Sequence, residues 1–79
     1  MTPEQFVASR KAMGLTQKQL AVHLRMGKHG WQSISCWEGG LVPIPGPVEV
    51  SIGHLLNQFE GAVARYWEIL PTVEPRAGV

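Results

Sequence analysis

Helix start and stop signals are so dense in the first forty residues that this part of the chain can form only short helices. TPEQ at residues 2–5 and TQKQ at residues 16–19 are capping boxes, in which a threonine and a glutamine three residues later close a helix N-terminus. Gly14 lies between them, where a left-handed residue typically ends a helix. The pattern therefore predicts helices over residues 3–13 and 17–25.

A third helix is predicted over residues 31–38. Ile34 and Trp37 are spaced to share one side of a helix, and Gly39-Gly40 follow as a stop signal.

The rest of the chain predicts helix as well. After the proline-rich connector LVPIPGPVEV, apolar residues recur at three- and four-residue spacing as far as Leu70. Residues 46–70 are predicted to form one long amphipathic helix, or two helices that separate at Gly53 or Gly61. Residues 71–79, which begin with a proline, are expected to be a flexible tail. We predict an all-α domain of four to five helices.

Composition excludes several classes of protein. A single cysteine in 79 residues cannot form an internal disulfide framework. No apolar stretch is long enough to cross a bilayer, so we expect a cytoplasmic protein. Cys36 and His29 lack the ligand spacing of a metal site, and a passive Cys36 is favoured over a redox sensor. The histidines and glutamates are not grouped for acid–base chemistry, so we expect neither an enzyme nor a cofactor.

Charge is divided unevenly along the chain. The basic residues of the first half are Arg10, Lys11, Lys18, Arg25 and Lys28, against Glu4 and Glu38. The second half is acidic, with Arg65 and Arg76 against Glu49, Glu60, Glu68 and Glu74. A basic half favours a polyanionic partner, although charge alone is a weak indication.

Residues 10–45 carry a more specific pattern. The segments GLTQKQLAVHL and SISCWEGG resemble the phage-repressor-like helix-turn-helix family of Cro/XRE type, whose pattern is L-T-Q-x-x-L-A-x-x-L followed by T-[VI]-S-x-W-E-x-G. The resemblance implies a five-helix domain over residues 1–45 and 46–70 that binds an inverted-repeat DNA operator as a homodimer. The second part, residues 46–70, would supply packing and dimerisation.

The resemblance also implies roles for individual residues. Gln17 would contact a DNA phosphate, and Arg10 and Glu38 would form a buried ion pair. Ile34 and Trp37 would lie largely in the core. The residues expected to face the major groove and contact bases are Trp31, Gln32, Ser33, Ser35 and Cys36.

The turn before the third helix departs from the family pattern. Twelve residues separate Leu24 from Trp37, more than the family usually has, and the surplus falls in RMGKHG. Gly27 and Gly30 are expected to give this turn flexibility. Lys28 and His29, with Lys18, are expected to contact phosphates because charge dominates DNA affinity. Trp31 either stacks on the DNA or folds over the lengthened turn.

The apolar residues that recur over residues 46–70, which we call the C-terminal stripe, present more apolar surface than three short helices can cover. Such a surface indicates a partner. The expected dimer interface consists of Phe59, Val63, Tyr66, Trp67 and Leu70. We expect a homodimeric repressor or autoregulator of phage or mobile-element type, with no small-molecule effector. The alternative is an antitoxin-like module whose aromatic C-terminal helix neutralises another protein, with DNA binding secondary.

Overall fold

The computed structural model describes residues 1–74, and within them the chain forms five α-helices and no strand. The helices are α1 (Pro3–Ala12), α2 (Gln17–His23), α3 (Gly30–Glu38), α4 (Gly46–Gln58) and α5 (Ala62–Ile69), followed by a short 3-10 helix over Leu70–Thr72. The all-α prediction is confirmed. The expected tail at residues 71–79 begins inside the 3-10 helix, and its residues 75–79 lie outside the described part.

Both predicted capping boxes are present. The Gln5 backbone N–H donates to Thr2 Oγ1 at 3.1 Å, and the Thr2 N–H donates to Gln5 Oε1 at 2.8 Å. Thr16 and Gln19 repeat the exchange at 3.1 and 2.9 Å. These bonds satisfy backbone donors that a helix leaves without partners at its start, so both helix starts are fixed locally.

The second helix ends earlier than predicted, at His23 rather than residue 25. Arg25 adopts a left-handed conformation with φ of 54°. Its N–H donates to the Val22 carbonyl and the Met26 N–H donates to the Ala21 carbonyl, both at 3.0 Å. These two bonds form a Schellman motif, which stops a helix by satisfying its last carbonyls. Gly14 and Gly40 end α1 and α3 in the same way.

The third helix begins at Gly30, one residue before the predicted start. Gly30 is buried, and a Cβ there would overlap the Cβ of Met26. Glycine at this position therefore permits close packing of the turn against α3, instead of the flexibility expected from sequence. Gly27, with φ of 82°, is the position that needs glycine's conformational freedom.

The C-terminal stripe forms two helices, because the chain turns between Gln58 and Ala62. Gly61 has a φ of 74°, whereas Gly53 continues α4. Both helices belong to the same core as the first three, since α4 and α5 each pack against α1. Every helix contributes at least one fully buried apolar side chain, and these include Phe6, Leu20, Ile34, Ile52 and Ala62.

Replacing Arg25 with glycine is predicted to stabilise the protein. A residue with a Cβ costs about 1–2 kcal/mol in the left-handed conformation, and glycine avoids this strain. Glycine also gives the unfolded chain more conformational freedom, which offsets part of the benefit. We therefore expect the free energy of unfolding to rise by about 1 kcal/mol. Urea unfolding, monitored by circular dichroism, measures this gain in the free energy of unfolding. Arg25→Ala keeps the strain and should gain nothing. An equal gain in both variants would mean that the arginine charge, not its backbone, is unfavourable.

Candidate nucleic-acid interface

The outward side of α3 carries the residues predicted to contact bases. Gln32, Ser33 and Ser35 are exposed, and Trp31 and Cys36 are half-buried. The opposite side is buried: Ile34 is 0% exposed and Trp37 is 6% exposed, as predicted. The exposed residues are short and polar, and no acidic side chain lies among them, because the single carboxylate of α3, Glu38, is buried.

Glu38 holds α3 in place through a buried ion pair with Arg10. The Arg10 Nε and Nη2 atoms donate to the two carboxylate oxygens at 2.7 and 3.0 Å, a bidentate arrangement. Arg10 Nη1 also donates to the Leu15 carbonyl at 3.1 Å. The ion pair implied by the family resemblance is therefore present, and it joins the end of α3 to α1 and to the link that precedes α2.

The Gln17 side chain contacts the same ion pair. Its side-chain Nε2 donates to Glu38 Oε1 at 3.1 Å, and the side chain is half-buried. The amide thus donates to the buried carboxylate, and its contact with a phosphate stays a prediction. Sequence patterns do not distinguish the two roles, because the relevant neighbour lies 21 positions away in the chain.

Trp31 leans towards the core. Its ring packs against the buried cluster, and Lys18 Nζ lies 5.5 Å from the ring centroid. This cation–π contact connects α2 to the first turn of α3. The ring thus packs partly against the protein's own core, and its stacking on DNA stays a prediction.

Helix α2 and the turn between α2 and α3 line an open groove of about 690 Å³, which we call the α2–turn groove. Lys18, Lys28 and His29 line it, as do two residues that sequence analysis did not single out, Val22 and Arg25. Val22 follows Lys18 by four positions and so shares one side of α2 with it. Arg25 lies beyond the end of the helix in a left-handed conformation, so helical spacing does not place it in the groove. Lys18, Arg25 and Lys28 take part in no ion pair within residues 1–74.

The predicted dimer residues divide into two groups. Phe59 and Tyr66 pack partly against the protein's own core. The Phe59 ring also packs edge-on against the His23 ring, with 5.6 Å between the ring centroids. Partial burial raises the pKa of the Tyr66 phenol above its ordinary value. Val63 is 40% exposed and Trp67 is 65% exposed, so these two present apolar surface outward.

Leu70, the last predicted dimer residue, is half-buried at the start of the 3-10 helix. It therefore offers less free surface than Val63 or Trp67, which are both exposed.

The described part of the chain offers little other candidate chemistry. No group of three or more histidine, cysteine, aspartate or glutamate side chains there could hold a metal ion. Cys36 is a free, half-buried thiol. No helix in residues 1–74 is long and apolar enough to span a membrane.

Comparisons with known protein families, with curated proteins and with solved structures found no match to this chain. Its function is therefore inferred from the side chains and charges described above.

Glu38→Ala is predicted to destabilise the protein strongly. The substitution leaves Arg10 without its partner in a mostly buried site, which costs about 3–5 kcal/mol. Urea unfolding measures the loss, and the double variant Arg10→Met, Glu38→Leu should recover most of it. Glu49→Ala is the matched control: its ion pair with the Met1 amino group is half exposed and should be worth less than about 1 kcal/mol. Equal losses in the two alanine variants would contradict the structural role of Glu38.

Proposed function

We propose that this protein binds double-stranded DNA sequence-specifically as a homodimer and represses transcription by occupying a promoter. The observation that carries the proposal is the two-sided character of α3. Its inner side is fixed by Ile34, Trp37 and the buried ion pair, while its outer side presents short polar groups beside unpaired cations. A B-DNA major groove, about 12 Å wide, admits one helix of this kind.

Each outward side chain of α3 suits a different feature of a base pair. The Gln32 amide can accept a hydrogen bond from adenine N6 and donate one to adenine N7, which discriminates against other bases by about 1–3 kcal/mol. Ser33 and Ser35 can donate or accept. The Cys36 thiol bonds weakly and fits an apolar contact with a thymine methyl group.

Phosphate contacts would come from the cations that flank α3. Lys28 and His29 are exposed in the turn immediately before the helix. Lys18 on α2 and Arg25, two residues after its end, line the groove with them. Because none of the three strong cations is neutralised by a carboxylate within the described residues, their charge is available to a polyanion. Release of counterions from the DNA would then make binding strongly salt-dependent.

Two substitutions separate base recognition from phosphate binding. Gln32→Ala should weaken binding to a duplex selected from a random pool by about 1–3 kcal/mol and relax preference at one position of each half-site. Lys28→Ala should weaken all duplexes alike and reduce the salt slope by about one for each lost phosphate contact. Fluorescence anisotropy at several salt concentrations measures both effects.

Lys11→Ala serves as the control in these titrations, because this exposed cation lies in the last turn of α1 and does not line the groove. Selection that returns no common sequence, or affinity that does not change with salt, would contradict the proposal. Uniform weakening by Gln32→Ala would mean that Gln32 contacts the backbone and not a base.

Dimerisation is proposed to use the exposed apolar side of α5. Two copies related by a twofold axis would present two α3 helices to successive major grooves, about 34–36 Å apart. The same exposure of Val63 and Trp67 supports the second candidate function, an antitoxin-like module that binds a different protein through α5. The two functions differ in whether the isolated protein associates with itself.

Trp67→Glu is predicted to convert the dimer to a monomer, because it places a charge in an apolar interface. Sedimentation of the purified protein measures the change. Val50→Glu is the control, since Val50 is 58% exposed on α4 and outside the proposed interface. A wild-type protein that sediments as a monomer would favour the antitoxin-like function. Truncation of α5 is unsuitable as a test, because buried Ala62 would be removed with it.

A further inference from the structure

The α2–turn groove has an apolar floor that DNA would not cover. Ala21 is buried beneath it, Trp31 contributes its ring, and Val22 is 76% exposed. A duplex presents phosphates and sugars on a convex surface, so it would contact the rim and leave the concave floor in water. The volume of about 690 Å³ lies within the range of small-molecule sites.

The rim of the groove selects the charge of a ligand. Lys18, Arg25 and Lys28 surround the floor, and none of the residues that line the groove is acidic. Lys18 lies over the Trp31 ring, so a cation and an aromatic surface are adjacent. An anionic group could meet the Lys18 ammonium while an attached flat, apolar body covers Trp31 and Val22.

The groove owes its shape to the backbone of the turn. The left-handed Arg25 ends α2 early, Gly27 turns the chain outward, and Gly30 brings it back tightly against Met26. The wall formed by the turn is thus held at both ends by packed or hydrogen-bonded backbone, so the groove exists before any ligand binds.

We propose that the α2–turn groove binds a small anionic ligand with a planar apolar body, of the aryl carboxylate class, and that the ligand excludes DNA. The exclusion rests on the proposed function, because Lys18, Lys28 and Gln32 would contact both the ligand and the DNA. This inference departs from the expectation, drawn from sequence, that the protein has no small-molecule effector.

The binding site is tested first without DNA. The probe 1-naphthoate, titrated into the 15N-labelled protein, should shift the NMR signals of the Val22 and Gly27 amides and the Trp31 indole. The cationic analogue 1-naphthylmethylamine should bind at least about tenfold more weakly, because three cations surround the site. Equal affinity for the two probes, or shifts concentrated at Val63 and Trp67, would overturn the proposal.

Matched variants locate the site. Val22→Glu replaces the exposed apolar floor with an anion and should weaken naphthoate binding by at least about tenfold. Val50→Glu makes the same change on α4, away from the groove, and should leave the affinity unchanged. Equal losses in both variants would overturn the proposal, because the effect would then come from net charge.

Competition with DNA separates this proposal from the proposed function. Naphthoate should release a selected duplex from the wild-type protein over the same concentration range in which it binds the free protein, and 1-naphthylmethylamine should not. Protein that binds naphthoate but no duplex would support the groove and contradict the proposed function. Protein that binds a duplex and retains it at saturating naphthoate would overturn the exclusion alone.

Discussion

The buried carboxylate of Glu38 is the group on which the arrangement of the first three helices depends. Glu38 is the last residue of α3 and is 3% exposed. Its carboxylate accepts hydrogen bonds from Arg10 on α1 and Gln17 on α2. Burying a carboxylate costs several kcal/mol unless its partners are well placed. Burial of Ile34 and Trp37 determines which side of α3 faces the core. Because such apolar contacts are not directional, the bidentate ion pair adds the directional constraint on the rotation of the helix.

The turn that precedes α3 combines exposed charge with a fixed backbone. It carries exposed cations, yet its ends are held by the hydrogen bonds around Arg25 and the close packing of Gly30. A turn that was only flexible would lose conformational entropy when it bound a polyanion. Holding the cations on a fixed backbone reduces that loss, and the same fixed backbone leaves a concave space beside α2. The proposed affinity for DNA and the proposed ligand site would therefore both depend on this one turn.

The C-terminal helices serve the fold as well as any partner. Ala62 is fully buried, and Arg65 Nε donates to the Ala12 carbonyl at 2.7 Å, which satisfies a group left open at the end of α1. Trp67 lies exposed on the same helix and packs edge-on against Tyr66, with 5.0 Å between the ring centroids. The division into residues 1–45 and 46–70 thus describes regions of one core, in which α5 packs on α1 with one side and presents apolar surface with the other.

The sequence by itself determined the local features of this protein. Capping boxes at Thr2 and Thr16 and the left-handed Gly14 act through atoms a few positions apart, so a short pattern is sufficient to predict them. The same is true of the buried positions Ile34 and Trp37, whose side of α3 follows from helical spacing. The ion pair between Arg10 and Glu38 was predicted through a family resemblance, not from spacing.

Only the tertiary structure decided which groups meet across the chain. It turned the Gln17 amide towards Glu38, brought Lys18 over Trp31, and made Arg25 and Val22 part of a groove. It also showed that Phe59 and Tyr66 lie partly in the core while Trp67 remains exposed. These outcomes depend on side chains from helices that are distant in sequence, and their distances are set by packing of the whole core, which no local pattern encodes.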